Sequence, residues 1–192
     1  EQNMLPFSFD DLYVAPGASL IVSGYRTINN IMIDGTMAFG NDTLIVNGNS
    51  VINDSISIGS GVLISNGTFD NNGIIAIATG VIDVNGDFNS MGGFINFIDQ
   101  GNIYLGSNVS NLGSLSNENG TVTYDAEGAQ SIAGDLGYHD LILEGSGTKT
   151  LAGPVAVNNL TIDSGVTVAL GSSDLSIGGS SDIDGSITVS TN

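Results

Sequence analysis

From residue 31 to about residue 115 the sequence returns to the same residue classes every ~18–21 positions, a period that belongs to stacked short repeats. Each cycle holds three pulses. Two are strands of the form apolar-x-apolar, and the third is a lone apolar residue between polar neighbours. Phe39, Ile58, Ile77 and Phe97 occupy the first pulse, and Val46, Ile64, Val84 and Leu105 the second. Ile33, Val51, Phe69, Phe88 and Val109 occupy the third. Pulses of Val, Ile, Thr and Phe suit a pleated surface.

The punctuation keeps the same beat. Asn47-Gly48, Asn66-Gly67 and Asn85-Gly86 each follow a second-pulse strand. Asn and Gly tolerate positive φ, which a sharp corner is expected to need. The competing reading is a two-residue hairpin turn in an antiparallel sandwich. A meander, however, would not bring the same residue class back at every third pulse. The fold expected is all-β: a right-handed parallel β-helix, or β-solenoid, whose stacked Asn corners form an amide ladder. At ~18–21 residues per coil, or slightly longer, the chain makes about nine or ten coils and a rod roughly 45 Å long.

Residues 1–14 fall outside the rhythm and carry Pro6, Phe7, Phe9 and Tyr13; a deviating terminal repeat is usually a cap. Residues 15–192 read as one solenoid. After residue 121 the coils are expected to lengthen, with pulses at 141–143, 155–157, 160–162, 166–168, 175–177 and 187–189.

Composition narrows the partners. Hydrophobic residues make up 41% and charged residues 11%, which is not the composition of a disordered chain. No apolar run reaches the ~18 residues of a membrane-spanning helix. A net charge of −18 with only two Lys plus Arg excludes nucleic acid and argues against anionic membrane surfaces. Cysteine is absent, so no disulfide or thiolate site exists. The chain opens on Glu1 without a signal segment, so it reads as a processed product or a fragment, and processing suggests export.

Catalytic chemistry is sparse. Asp10-Asp11 is the only adjacent acidic pair, and it lies in the deviating segment, whereas glycoside hydrolysis needs two carboxylates facing one groove. Arg26 and Lys149, the only two strong bases, are far apart in the stack, which leaves a polysaccharide lyase without its base and its uronate partner. The single histidine, His139, reads as a polar loop residue and excludes a histidine metal cluster. No enzyme and no cofactor are expected. Calcium stays open, because Asp is abundant and suits corner loops, although the repeated nonapeptide calcium pattern is missing.

Residues 119–185 contain Gly120-Thr121-Val122-Thr123-Tyr124, then Gly145-Ser146-Gly147-Thr148-Lys149-Thr150-Leu151, then Asn159-Leu160-Thr161-Ile162. This run resembles the repeats of large secreted and cell-surface proteins of Bacteroidetes-type bacteria, over about a third of the chain. The resemblance implies a right-handed β-helix, an extracellular or cell-surface location, and a role in surface display, adhesion or filament building. It brings no catalytic residue. Asp42-Thr43-Leu44 and Asp54-Ser55-Ile56 are similar to the O-glycosylation motif of the same bacteria, so the resemblance implies glycans on Thr43 and Ser55.

The function expected is a non-catalytic structural or adhesive module, a filament subunit that joins other copies head to tail. The alternative is a polysaccharide-binding or polysaccharide-cleaving β-helix. A solenoid leaves unpaired backbone groups on its end coils, edges that proteins normally protect. The sequence ends just after the pulse at 187–189. Met4, Phe7, Phe9 and Tyr13 are the expected lock, laid as an added strand on the neighbouring copy; the alternative is that they cap their own rod.

Overall fold

The computed structural model describes residues 8–189 except Asn117, with side chains from Asp10 onward. Its described residues form twenty-five strands and no helix, and the strand pairings are parallel. The chain winds as a β-solenoid of about nine turns. Its walls are a 15-stranded sheet running the length of the rod, a six-stranded sheet over the first part and a four-stranded sheet over the last. In the first part each turn gives two short strands to the long sheet and one to the six-stranded sheet, and strands inside the stack pair with their counterparts one turn before and after.

The first predicted column is present as read. Phe39, Ile58, Ile77 and Phe97 pair in register and point inward, all buried. The alternation of apolar and polar residues is what fixes them, because a slip of one residue would turn the apolar set outward. A second inward column, Met37, Ile56, Ile75 and Ile95, lies beside it. Burying each such aliphatic side chain is worth about 1.5–3 kcal/mol.

The other two columns need correction. Val46, Val84 and Leu105 stack as expected, but the residue between Val46 and Val84 is Ser65, not Ile64. Ile64 pairs with Ile45 on the half-buried outer surface, since Leu63 and Ser65 alternate inward. On the third wall the column that continues through Phe69, Phe88 and Val109 begins with Ile31 and Ser50. Val51 sits outside, between Met32 and Asp70, while Ile33 stacks on Ile52 and Asn71 in a parallel inward column. The pulse is not one lone apolar residue but a short strand, and at Ser50–Ile52 and Phe69–Asn71 both of its ends point inward. Phe69 and Phe88 stack with ring centroids 5.5 Å apart.

The corners differ from expectation in their cause. The amide ladder is there: Asn66 donates to Asn47 at 3.4 Å and Asn85 to Asn66 at 3.0 Å. A second ladder runs from Asn72 to Asn53 at 2.9 Å and from Asn53 to Asp34 at 2.7 Å. Yet Gly48, Gly67 and Gly86 do not adopt positive φ. They are glycine because the corners stack too closely for a side chain. A Cβ on Gly86 would run into the Gly67 carbonyl.

Nor do the coils lengthen after residue 121. Val122, Leu141 and Leu160 follow one another in register at intervals of 19 residues, the separation that also joins Asn159 to Asp140. What changes is the division of the coil. The six-stranded sheet stops at Ser114–Leu115 and the four-stranded sheet opens at Gln130–Ile132, while the long wall acquires eight-residue strands at Leu136–Leu143 and Val155–Ile162. His139 therefore lies in a strand, not a loop. The segment that breaks the rhythm at the other end is also strand from Ser8: Ser8–Val14 pairs with Arg26–Ile33 from Ser8↔Thr27 to Val14↔Ile33.

Candidate functional site

The change of cross-section opens a groove of about 730 Å³ in the side of the rod, lined mainly by polar residues such as Asn85, Ser107, Asn108, Asp125, Glu127 and Gln130. Beneath it lies the most unusual inward column of the molecule. Gln130, Lys149 and Val168 pair in register on three successive turns. Lys149 is completely buried and Gln130 nearly so.

Their polar atoms are closely matched. Lys149 Nζ donates to the Ala126 carbonyl at 2.6 Å, to Gln130 Oε1 at 3.1 Å and to the Gly128 carbonyl at 3.4 Å. Gln130 Oε1 also accepts from the Ala126 N–H at 3.3 Å. On its other side Gln130 Nε2 donates to the carbonyls of Leu105 at 2.6 Å and Ser107 at 2.7 Å. Burying an amine is costly unless its donors are satisfied. Here all three acceptors lie on the preceding coil, two on the loop 126–129 and the third on Gln130.

Charge surrounds the amine. Burial pulls the Lys149 amine below its ordinary value, and Asp125 and Glu127 oppose that pull. The Asp125 carboxyl is pushed up, first by burial and then by Asp83, while backbone hydrogen bonds at Asp125 and Leu105 and the charge of Lys149 oppose the rise. Asp125 Oδ1 is enclosed and has no hydrogen-bond partner among the described residues.

Asp125 also begins a column of like charges. The residues that follow Tyr124, Leu143, Ile162 and Ile183 are Asp125, Glu144, Asp163 and Asp184, and the strands before them are in register. The same corner carries Asn47, Asn66 and Asn85 in the earlier turns. Burial raises the Glu144 carboxyl, and Asp163 and Asp125 raise it further. Among the described residues no three His, Cys, Asp or Glu side chains come together as a metal-binding group. Inside the same turn Tyr124 and Tyr138 meet with their hydroxyl oxygens 3.2 Å apart, and Tyr138 donates to the Ala133 carbonyl at 2.7 Å. Burial pushes the Tyr124 hydroxyl up to about 12.

Comparison of the chain with family models, curated proteins and solved structures finds no match. The site therefore has to be read from its own chemistry.

The residues singled out from sequence are scattered. Met4 and Phe7 lie outside the described residues, and Phe9 is described only by its backbone, which pairs with Ile28. Tyr13 stands 57% exposed on the outer face beside Met32, its hydroxyl donating to Asp34 Oδ2 at 2.8 Å. Thr43 opens a strand of the long sheet and Ser55 a strand of the six-stranded sheet, so the two are on different walls. Asp11 takes part in a corner ladder, accepting from Asn30 Nδ2 at 2.7 Å.

Lys149 and Gln130 were missed as core residues, though a signal exists. In Gly147–Leu151 Lys149 alternates with the buried Leu151 just as Val166 alternates with Val168 one turn later. Reading that register would have put a lysine where the column wants an apolar residue.

Proposed function

We propose that this chain is a non-catalytic structural module of an extracellular surface, a rod that joins copies of itself end to end into a filament. The observation that carries the reading is the state of the two ends. Leu175–Ile177, Ser181–Ile183 and Ser186–Thr188 each have a parallel partner on one side among the described residues, and so do Ser8–Val14 and Ser19–Val22. Ile177, Ile183, Ile187 and Val189, which the periodicity would place inside, are 37–66% exposed. An apolar coil end with open backbone groups is a template for another coil. One end meeting the other is a heterologous contact, which does not close on itself and grows as a fibre.

The extracellular setting and the surface-display role rest on the resemblance of residues 119–185. In this reading Thr43 and Ser55 are the O-glycan acceptors, and neither is fully buried. In this reading calcium bridges acidic corners between rods. The experiment is electron microscopy of the purified chain over a range of concentration and salt. Filaments with an axial repeat of about 45 Å, one rod of stacked strands, support the reading; isolated particles at every concentration reject it.

A further inference from the structure

We propose that Gln130 and Lys149 become joined by an intramolecular isopeptide bond, formed without any external enzyme, that clasps two neighbouring coils where the cross-section of the rod changes. The two residues are register partners on adjacent parallel strands, both inward. Lys149 Nζ already lies 3.1 Å from the Gln130 carbonyl oxygen, within a short shift of the carbonyl carbon. Holding two reacting groups at such a separation removes most of the entropic part of the barrier.

The surrounding groups fit the chemistry. Oε1 accepts from the Ala126 backbone N–H at 3.3 Å, a donor placed where negative charge develops during attack on the carboxamide. Nε2, the leaving nitrogen, is fixed by the Leu105 and Ser107 carbonyls. Asp125 is close by: its own backbone N–H shares the Leu105 carbonyl with Nε2, and its enclosed Oδ1 has no hydrogen-bond partner among the described residues; in the proposed reaction its side chain turns toward Nζ and Nε2 to carry the proton. Burial favours the neutral forms of both the amine and the carboxyl, the direction in which each is displaced.

The steps balance. The Lys149 ammonium passes a proton to the Asp125 carboxylate, which leaves a neutral amine beside a neutral acid. The amine lone pair forms a bond to the Gln130 side-chain carbonyl carbon, and the carbonyl electrons move to Oε1. Asp125 gives its proton to Nε2 and takes one from Nζ. The C–Nε2 bond then breaks, and the oxygen electrons return to form the new amide. Ammonia leaves and carries off the remaining Asp125 proton as ammonium. One carboxamide and one amine become one secondary amide and ammonia, with no oxidant, reductant or activated co-reactant.

The test uses the chain's scarcity of basic residues. Arg26 and Lys149 are its only tryptic sites, so an unlinked, fully denatured chain gives three peptides, 1–26, 27–149 and 150–192. A Lys149 whose amine has become an amide is not cleaved. The linked chain therefore gives 1–26 and one product spanning 27–192, lighter than its sequence by one ammonia. Cleavage after Arg26 in the same digest proves that denaturation and protease were adequate. Fragmentation spectra must show the Gln130–Lys149 crosslink, because succinimide at Asn-Gly steps loses the same mass yet leaves Lys149 cleavable. The native chain, purified and incubated for days at neutral pH, is expected to resist cleavage at Lys149. Asp125→Asn is expected to slow the loss of ammonia at least tenfold. Complete cleavage after Lys149 in the incubated native chain overturns the bond. Linking at the native rate in Asp125→Asn overturns the part given to Asp125.

Discussion

Ser50 and Ser65 face each other across one coil with their hydroxyl oxygens 2.8 Å apart, both completely buried. They occupy positions that are otherwise Ile31, Phe69, Phe88 and Val109 on one wall and Val46, Val84 and Leu105 on the other. Each serine is tolerable because of the other. A hydroxyl in an apolar interior costs stability unless it has a partner, and here the two satisfy one another.

It follows that the two serines should behave as a pair under mutation. Ser65→Ala leaves the Ser50 hydroxyl alone and is expected to cost about 1–3 kcal/mol, and Ser50→Ala the same. The double variant removes both polar groups and should cost less than the two singles together. A double-mutant cycle in guanidinium unfolding measures the difference. Simple additivity would mean that the hydroxyls do not interact.

The column at Ile77 admits a sharper contrast. Ile77 is fully buried, with Ile58 and Phe97 above and below it, while Ser57 is exposed one position along the neighbouring strand. Ile77→Asp is expected to destabilise by roughly 4 kcal/mol or more, and Ser57→Asp to stay within about 0.5 kcal/mol. Thermal melts of both variants decide the matter, and equal shifts would refute the inward assignment.

The serine pair also marks where sequence stops being legible. A period of about 19 residues and strands with alternating apolar residues were enough to predict a stack of parallel coils and the column from Phe39 to Phe97. They could not predict Ser65 over Ile64, because an apolar residue one position away is the better guess when its partner lies 15 residues back on another wall. The same holds for Asn71, buried and bonded to Ser90 at 2.8 Å. At the groove the difficulty is greater. Lys149 reads as a surface residue until the register sets Gln130 above it and the loop 126–129 wraps its amine. The charged corner is simpler: Asp125, Glu144 and Asp163 stand at one repeat position, and aligning coils after residue 121 at 19 residues would have exposed them.

That corner gives the protein an unusual dependence on pH. Burial raises the carboxyls of Asp83, Asp125 and Glu144, and the neighbouring acids raise the last two further. A carboxyl with a folded value above its unfolded value binds more protons in the native state between the two, so stability falls as pH rises through that window. The melting temperature is therefore expected to rise as pH drops from neutral toward about 5, above the ordinary carboxyl range near 4. Asp34 works in the opposite sense. Hydrogen bonds from Asn53 and then Tyr13 hold its carboxyl low, so its contribution is present above the ordinary value and lost at more acidic pH. The curve should turn over below about 4. Glu144→Gln should flatten the rise toward pH 5, and so should added salt, which screens the column. Melts at constant ionic strength check both; a melting temperature that falls steadily from pH 7 to 5 contradicts the electrostatic account of the corner.

The proposed end-to-end contact can be separated from the stability of the rod by where a charge is placed. Val189 is 66% exposed beyond the last described strand, so Val189→Asp should change the melting temperature little. If copies stack there, the same substitution buries an unpaired carboxylate in each junction. A desolvated, unpartnered charge costs several kcal/mol at an interface whose margin over association entropy is small. Val189→Asp should then raise the concentration needed for polymer at least tenfold. Ser57→Asp adds the same charge to the side of the rod and is the matched control, because both variants take the net charge from −18 to one unit more negative. Raising ionic strength should lower the polymerisation threshold of the native chain, since it weakens repulsion between acidic rods over distances beyond about 8 Å. Sedimentation at several concentrations measures all three. Equal effects of the two substitutions would place the contact on the flank, and a native chain that remains monomeric throughout would remove the filament altogether.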